Sequence, residues 1–118
     1  MKATRLVIEG SDLRSLPNIL EKELKEAGAG ATLFLDSWND VYICTIQESY
    51  LRIEGYVATV TVLNLKENGR CEVQIVQAKG SIGLGFGAEK AAANKVEALF
   101  EKICRDNSWR IEGKKELI

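Results

Sequence analysis

The sequence predicts an α+β fold, in which two helices cover one face of a single, mainly antiparallel sheet. Apolar residues recur at helical spacing over residues 16–27 and 88–106, which predicts one helix near each end of the chain. β-branched and aromatic runs fill the space between them, and pairs of turn residues interrupt these runs. The predicted order is strand, helix, four strands and helix, with residues 109–112 as a candidate last strand.

The first strand is expected over residues 3–9, where the side chains alternate in character. Pro17 decides where the following helix begins, because proline inside a helix removes a hydrogen bond and costs about 3 kcal/mol. With Ser15 as the N-cap, Pro17 lies in the first turn, where its missing N–H has no helical partner. We therefore expect a turn at residues 12–14 and the helix over residues 16–27.

Two hairpins are predicted in the middle of the chain, each closed by a two-residue turn. Asn39-Asp40 and Asn68-Gly69 supply the turns, and Asn-Gly is the strongest short hairpin signal because both residues tolerate positive φ. The four strands of these hairpins are residues 31–38, 41–47, 56–65 and 70–79. A two-residue turn fixes the register of its hairpin, and the register decides which side chains share a face.

When residue pairs are counted outward along the strands from these turns, an apolar patch lies on the sheet face away from the helices. This face is expected to hold Phe34, Trp38, Val41, Ile43, Val57, Leu63 and Leu65, with Val60 and Val62 under the helices. Antiparallel sheets with one wet face are normally polar on it, and a contiguous apolar patch marks a partner or a ligand. We therefore predict a homodimer formed through this face. The alternatives are a sheet that curls over the patch, or a register that differs by one residue.

A glycine-rich segment, residues 80–87, joins the last strand of the second hairpin to the last helix. Gly83, Gly85 and Ala88 match G-x-G-x-x-A, but a dinucleotide site needs this loop between a first and a second parallel strand, and here it lies near the C-terminus with at most one short strand after it. The simplest interpretation is a crossover that lets the helix pack closely on the sheet. The alternative function is a binding module for a small apolar ligand held between helix and sheet, with this segment as its entrance and Ile82, Leu84 and Phe86 as its lining.

The composition of the 118-residue chain predicts one domain, residues 1–118, without a linker and with a tail from about 113 to 118. The net charge of −1 argues against a nucleic-acid partner. No apolar run reaches the roughly 18 residues of a membrane span, and the first ten residues lack a signal-peptide core, so we expect a cytoplasmic protein. The three cysteines, Cys44, Cys71 and Cys104, lack disulfide or zinc spacing and are expected to be buried thiols.

Catalysis is not expected, because the chain contains no histidine and so lacks the usual acid–base group and the usual partner of a nucleophile. Asp36 and Asp40 come nearest to a carboxylate pair, but Asp40 is more simply a turn residue and Asp36 a polar position of a strand. We predict a protein that is not an enzyme, with no catalytic residue, no metal site and no cofactor.

The element order resembles the TATA-box-binding-protein-like architecture of many small bacterial domains, and also a shortened helix-grip domain. The resemblance covers most of the chain and is carried by the element order and by the glycine-rich entry to the last helix. It implies helices on one face of the sheet and, for a helix-grip domain, an apolar ligand cupped between them. It carries over no functional residue, and DNA is not an expected partner because the open face is expected to lack basic residues.

Overall fold

The computed structural model describes residues 2–27, 32–50, 55–79 and 88–118. The strands are β1 (Lys2–Glu9), β2 (Thr32–Trp38), β3 (Val41–Tyr50), β4 (Gly55–Leu65), β5 (Arg70–Lys79) and β6 (Arg110–Glu116), and the helices are α1 (Leu16–Ala27) and α2 (Ala88–Asp106). The six strands form one antiparallel sheet in the order β2-β3-β4-β5-β1-β6. The predicted α+β class and element order are confirmed, and the candidate last strand is present.

Helix α1 begins at Leu16, as the position of Pro17 predicts. A 3₁₀ turn over Leu13–Ser15 leads into it, after Asp12 adopts a left-handed conformation with φ 59°. The Ser15 hydroxyl donates a hydrogen bond to the Asp12 carbonyl oxygen at 2.8 Å, and this bond stabilises the turn that precedes the helix. This turn orients the apolar stripe of α1 onto the sheet.

Both helices pack on the same face of the sheet around one core. Phe100 of α2 and Leu16 of α1 are fully buried there. The core consists of Leu6, Ile8, Leu13, Leu16, Leu20, Cys44, Leu63, Leu65, Cys71, Val73, Ile75, Val96, Phe100, Ile103, Cys104 and Trp109. Because the sheet contributes alternate residues to this cluster, its other face carries the remaining side chains.

The first hairpin has the predicted register and the second does not. Trp38 pairs with Val41 across the two-residue turn, in which Asn39 has φ 53°. In the second hairpin Leu65 pairs with Cys71 and the Lys66 amide donates to the Arg70 carbonyl oxygen at 2.8 Å, so the loop contains three residues, 67–69. Gly69 alone takes the positive φ, 74°, in the arrangement of a turn followed by a bulge that three-residue hairpin loops favour.

This difference of one residue turns every side chain of β4 to the other face, relative to the prediction. Leu63 and Leu65 therefore lie in the core, with 0% and 6% of their surface exposed, and their assignment to the open face is wrong. Val60 and Val62, expected under the helices, lie on the opposite face and are half-buried. The alternative of a register displaced by one residue is the correct one for this hairpin.

The C-terminal residues form a strand where a tail was expected. β6 pairs with β1, and the Leu117 amide donates to the Ala3 carbonyl oxygen at 2.8 Å beyond the end of the strand. The register shifts between Val7 and Ile8, which leaves Glu112 as the extra residue of a β-bulge. The expectation of a tail from residue 113 is wrong because pairing with β1 supplies these residues with backbone partners.

Candidate interaction surface

The sheet face opposite α1 and α2, called here the outer face, carries a group of apolar side chains. We call this group the apolar strip: Trp38, Val41, Ile43, Val60, Val62 and Val76. Trp38 is 79% exposed and Ile43 is 38% exposed, while the four valines are half-buried. An indole with this much exposed surface is unusual in a folded chain and marks the strip as a candidate contact site.

The register brings the members of the strip into direct contact range. Trp38 lies opposite Val41, Ile43 opposite Val62, and Val60 opposite Val76. Side chains that lie opposite each other on neighbouring antiparallel strands have Cβ atoms about 4.5–5.5 Å apart. The strip is therefore continuous across β2, β3, β4 and β5.

Polar and charged side chains continue the outer face beyond the strip. Gln74 lies beside Val62 on β5, Arg5 follows on β1, and Lys115 lies opposite Arg5 on β6. Glu72 is exposed on the same face. The expectation that this face lacks basic residues is wrong on the β1–β6 side, because β6 adds a lysine there. An apolar centre with a polar edge is the usual composition of a protein–protein interface.

The sequence-predicted surface is present in part. Trp38, Val41 and Ile43 lie on the outer face, as expected, whereas Leu63 and Leu65 are core residues. The side chains of Phe34 and Val57 lie outside those that the structure describes, as do residues 80–87 with the predicted ligand-lining Ile82, Leu84 and Phe86. Sequence reasoning placed Val60 and Val62 on the other face and left Val76 out of the predicted patch. The one signal that could have found Val60 and Val62 is the three-residue interpretation of the Asn-Gly turn.

A four-residue ion-pair cluster lies at one end of the outer face. Arg70 binds Glu9 at 2.9 Å and Glu112 at 3.1 Å, and Arg110 binds the same two carboxylates at 3.0 and 2.6 Å. The side chains of Glu9, Arg110 and Arg70, in that order of effect, lower the pKa of Glu112 against the opposing effect of desolvation. Two cations and two anions neutralise each other here, so the cluster joins β5, β1 and β6 and offers no net charge to a ligand.

Four other candidate reactive side chains among the described residues are buried or ion-paired. Cys44, Cys71 and Cys104 are free and buried, as predicted, and desolvation raises their pKa values to about 11, 12 and 11. These thiols therefore hold their protons at neutral pH, when they are poor nucleophiles. Arg14 donates to the Asp40 carboxylate at 2.9 Å, so Asp40 belongs to an ion pair.

Within residues 2–27, 32–50, 55–79 and 88–118, no three His, Cys, Asp or Glu side chains group closely enough to hold a metal ion. Neither helix, over its described residues, has the length and apolar character needed to cross a membrane. No protein-family model matches the chain, and no curated protein is significantly similar to it.

Proposed function

We propose that the protein is a non-enzymatic, cytoplasmic homodimer whose subunits associate through the outer face of the sheet. The observation that carries this proposal is the continuous apolar strip with the 79% exposed Trp38 at its end. Removing such a strip from water is favourable, by about 25 cal/mol for each Å² of apolar surface. The resemblance to TATA-box-binding-protein-like domains is based on element order and adds no residue to this proposal.

The size of the outer face supports a second copy of the chain as the partner. Six strands about 4.8 Å apart, each with about seven residues of about 3.3 Å, give a face of roughly 29 by 23 Å, on the order of 650 Å² before side-chain relief is counted. A standard stable interface buries about 800 Å² on each partner. Two such faces packed sheet on sheet would therefore bury an area close to that of a standard interface.

The arrangement of charge on the face also suits a two-fold dimer. A two-fold axis near Val62, at the centre of the strip, would place apolar side chains on both sides of the contact. Arg5 and Lys115 would then lie at the edge, where water solvates them. A net charge of −1 per chain gives little repulsion between two copies.

The burial of the three thiols and the ion pair of Asp40 support the non-enzymatic part of the proposal. The three thiols are buried and protonated, and Asp40 is held by Arg14. The alternative of an apolar ligand enclosed by residues 80–87 concerns residues outside those described, and we favour the sheet face for that reason.

The test is the oligomeric state of the full chain and of Val62→Glu, measured by light scattering after gel filtration over a range of micromolar concentrations. We expect a dimer for the unchanged chain and a monomer for Val62→Glu, because the charge would be buried against an apolar partner without a counter-ion. Val62 is half-buried on the outer face, so the variant keeps the core intact, and circular dichroism checks its fold.

Asn18→Glu is the matched control, since it adds the same charge on the exposed side of α1, away from the sheet. It should remain a dimer. A monomeric unchanged chain at every concentration contradicts the proposal. A Val62→Glu chain that stays dimeric also contradicts it, because association would then use another surface, such as the open edge of β2.

A further inference from the structure

The outer face has an apolar position outside the apolar strip, with an open space beside it. Val7 of β1 points to this face and is half-buried, since its neighbours Leu6 and Ile8 are core residues. Gly113 of β6 lies opposite Val7. A Cβ at Gly113 would meet no atom within 4 Å, so the position beside Val7 is open.

Trp38 and Val7 lie in the same row of the sheet, on opposite sides of β4. The residues of this row, in order across the six strands, are Trp38, Val41, Asn64, Glu72, Val7 and Gly113. β2 is two strands from β4 in one direction, and β1 is two strands from it in the other. Trp38 and Val7 are therefore equally distant from β4, by about 10 Å at a strand spacing of about 4.8 Å.

A two-fold axis parallel to the strands, over β4, would bring Trp38 onto this open space. Rotation about such an axis turns two outer faces towards each other, exchanges the positions of β2 and β1, and keeps each row at the same height. On the basis of the dimer proposed above, we propose that its two-fold axis has this direction, so that Trp38 of each subunit packs on the partner subunit's Val7 and enters the space at the partner's Gly113. Each contact occurs twice, as in any isologous interface.

The size of the indole favours this axis over one that crosses the strands. Sheets packed face to face lie about 10 Å apart, so a side chain as large as Trp38, 79% exposed in the single subunit, needs a small residue opposite it. The partner's Gly113 provides that space, and the partner's Val7 provides apolar contact. An axis across the strands, over Val62, would instead place Trp38 over the row of Thr45, whose side chain occupies the outer face.

The test measures nuclear Overhauser effects between subunits, in dimers mixed from labelled and unlabelled full chain. We expect effects from the indole protons of Trp38 in one subunit to the methyl groups of Val7 in the other. Within one subunit these groups are four strands apart, roughly 19 Å, which is too far for such an effect. A dimer without effects between Trp38 and Val7 overturns the proposed axis, and effects to the Thr45 methyl group would indicate an axis across the strands.

Gly113→Leu tests the open space itself. The substitution fits the single subunit, because its Cβ meets no atom within 4 Å, but the leucine side chain occupies the space that Trp38 enters in the dimer. We expect the dissociation constant of the dimer, measured by analytical ultracentrifugation, to rise about tenfold or more, as overpacking of a close contact does. Circular dichroism should show an unchanged fold.

Lys115→Leu is the matched control, since it adds the same side chain to the outer face two residues further along β6, where Lys115 is exposed. Its dissociation constant should stay close to that of the unchanged chain. A Gly113→Leu dimer as tight as the unchanged one, or an equal weakening by Lys115→Leu, overturns the contact of Trp38 with Gly113. These results leave the proposed dimer in place, whereas a chain that is monomeric at every concentration overturns both proposals.

Discussion

At the scale of single residues, the end of α2 shows how a non-glycine residue takes a glycine position. Ser108 follows the helix with φ 58°. Its amide donates to the Arg105 carbonyl oxygen at 3.4 Å, and the Trp109 amide donates to that of Cys104 at 2.8 Å. These are the two hydrogen bonds of a Schellman motif, in which the left-handed residue is usually glycine because it has no Cβ to strain the backbone.

We therefore expect Ser108→Gly to raise the free energy of unfolding, by about 0.5–1 kcal/mol, through removal of the strain of a left-handed residue. Urea denaturation followed by circular dichroism measures the change. Ser108→Ala is the control, since it keeps the Cβ and should gain no stability. A glycine variant that is less stable than the unchanged chain would show that the serine side chain itself supports the cap.

At the scale of elements, the loop between β4 and β5 fixes which face of β4 is buried. Gly69 has φ 74°, and a Cβ at this position would lie 3.1 Å from the Gly10 carbonyl oxygen. The Gly10 amide also donates to the Gly69 carbonyl oxygen at 3.1 Å, so the loop is joined to the residues that follow β1. The positive φ favours glycine, and the Gly10 carbonyl oxygen leaves little room for a Cβ.

Gly69→Ala should lower the free energy of unfolding by about 1–2 kcal/mol, because alanine is strained at positive φ. The same urea titration checks this. Asn68→Ala, at the neighbouring loop position, is expected to have a smaller effect, because Gly69 is the residue of this loop with positive φ. Equal effects of the two substitutions would contradict a special role for Gly69.

The elements themselves could be predicted from the sequence, but the faces of β4 could not. On β5 the pattern is decisive, since Val73 and Ile75 alternate with Glu72 and Gln74. On β4 valine, threonine and leucine occur on both faces, so the hydrophobic pattern does not select one. The prediction then depended on a single turn, and Asn-Gly fits both a two-residue and a three-residue loop. The prediction therefore placed the apolar strip on the correct face of the sheet but assigned some of its residues wrongly.

At the scale of the molecule, the two ends of the single core differ in how their polar groups are paired. The end near Trp109 is sealed, since the indole N–H donates to the Ser11 carbonyl oxygen at 2.6 Å and the ring lies against Gly10. At the other end, the Thr4 hydroxyl and the Gln77 carboxamide are buried, and neither has a hydrogen-bond partner among the described residues. Composition could not show this division, because the threonines and Gln77 are typical surface residues in a sequence and become core residues only through the register.

The ion-pair cluster of Glu9, Arg70, Arg110 and Glu112 makes the stability of the whole fold depend on pH. The pKa of Glu112 is lower in the folded protein than its ordinary value, so the folded state binds the proton more weakly than the unfolded state does. The contribution of Glu112 is thus fully present above its unfolded pKa, about 4.3, and is lost as the pH falls through the lower folded pKa.

We expect the urea midpoint to fall as the pH is lowered from about 7 to about 3, and Glu112→Gln to reduce both the midpoint at neutral pH and the steepness of this fall. Added salt should reduce the difference between the two chains, because the cluster lies at the surface and its charges are screened. Glu67→Gln, in the exposed loop between β4 and β5, is the control and should leave the pH profile nearly unchanged. If Glu112→Gln keeps the full acid dependence of the unchanged chain, the cluster does not link β5, β1 and β6 in solution, and the acid sensitivity must come from carboxylates elsewhere in the fold.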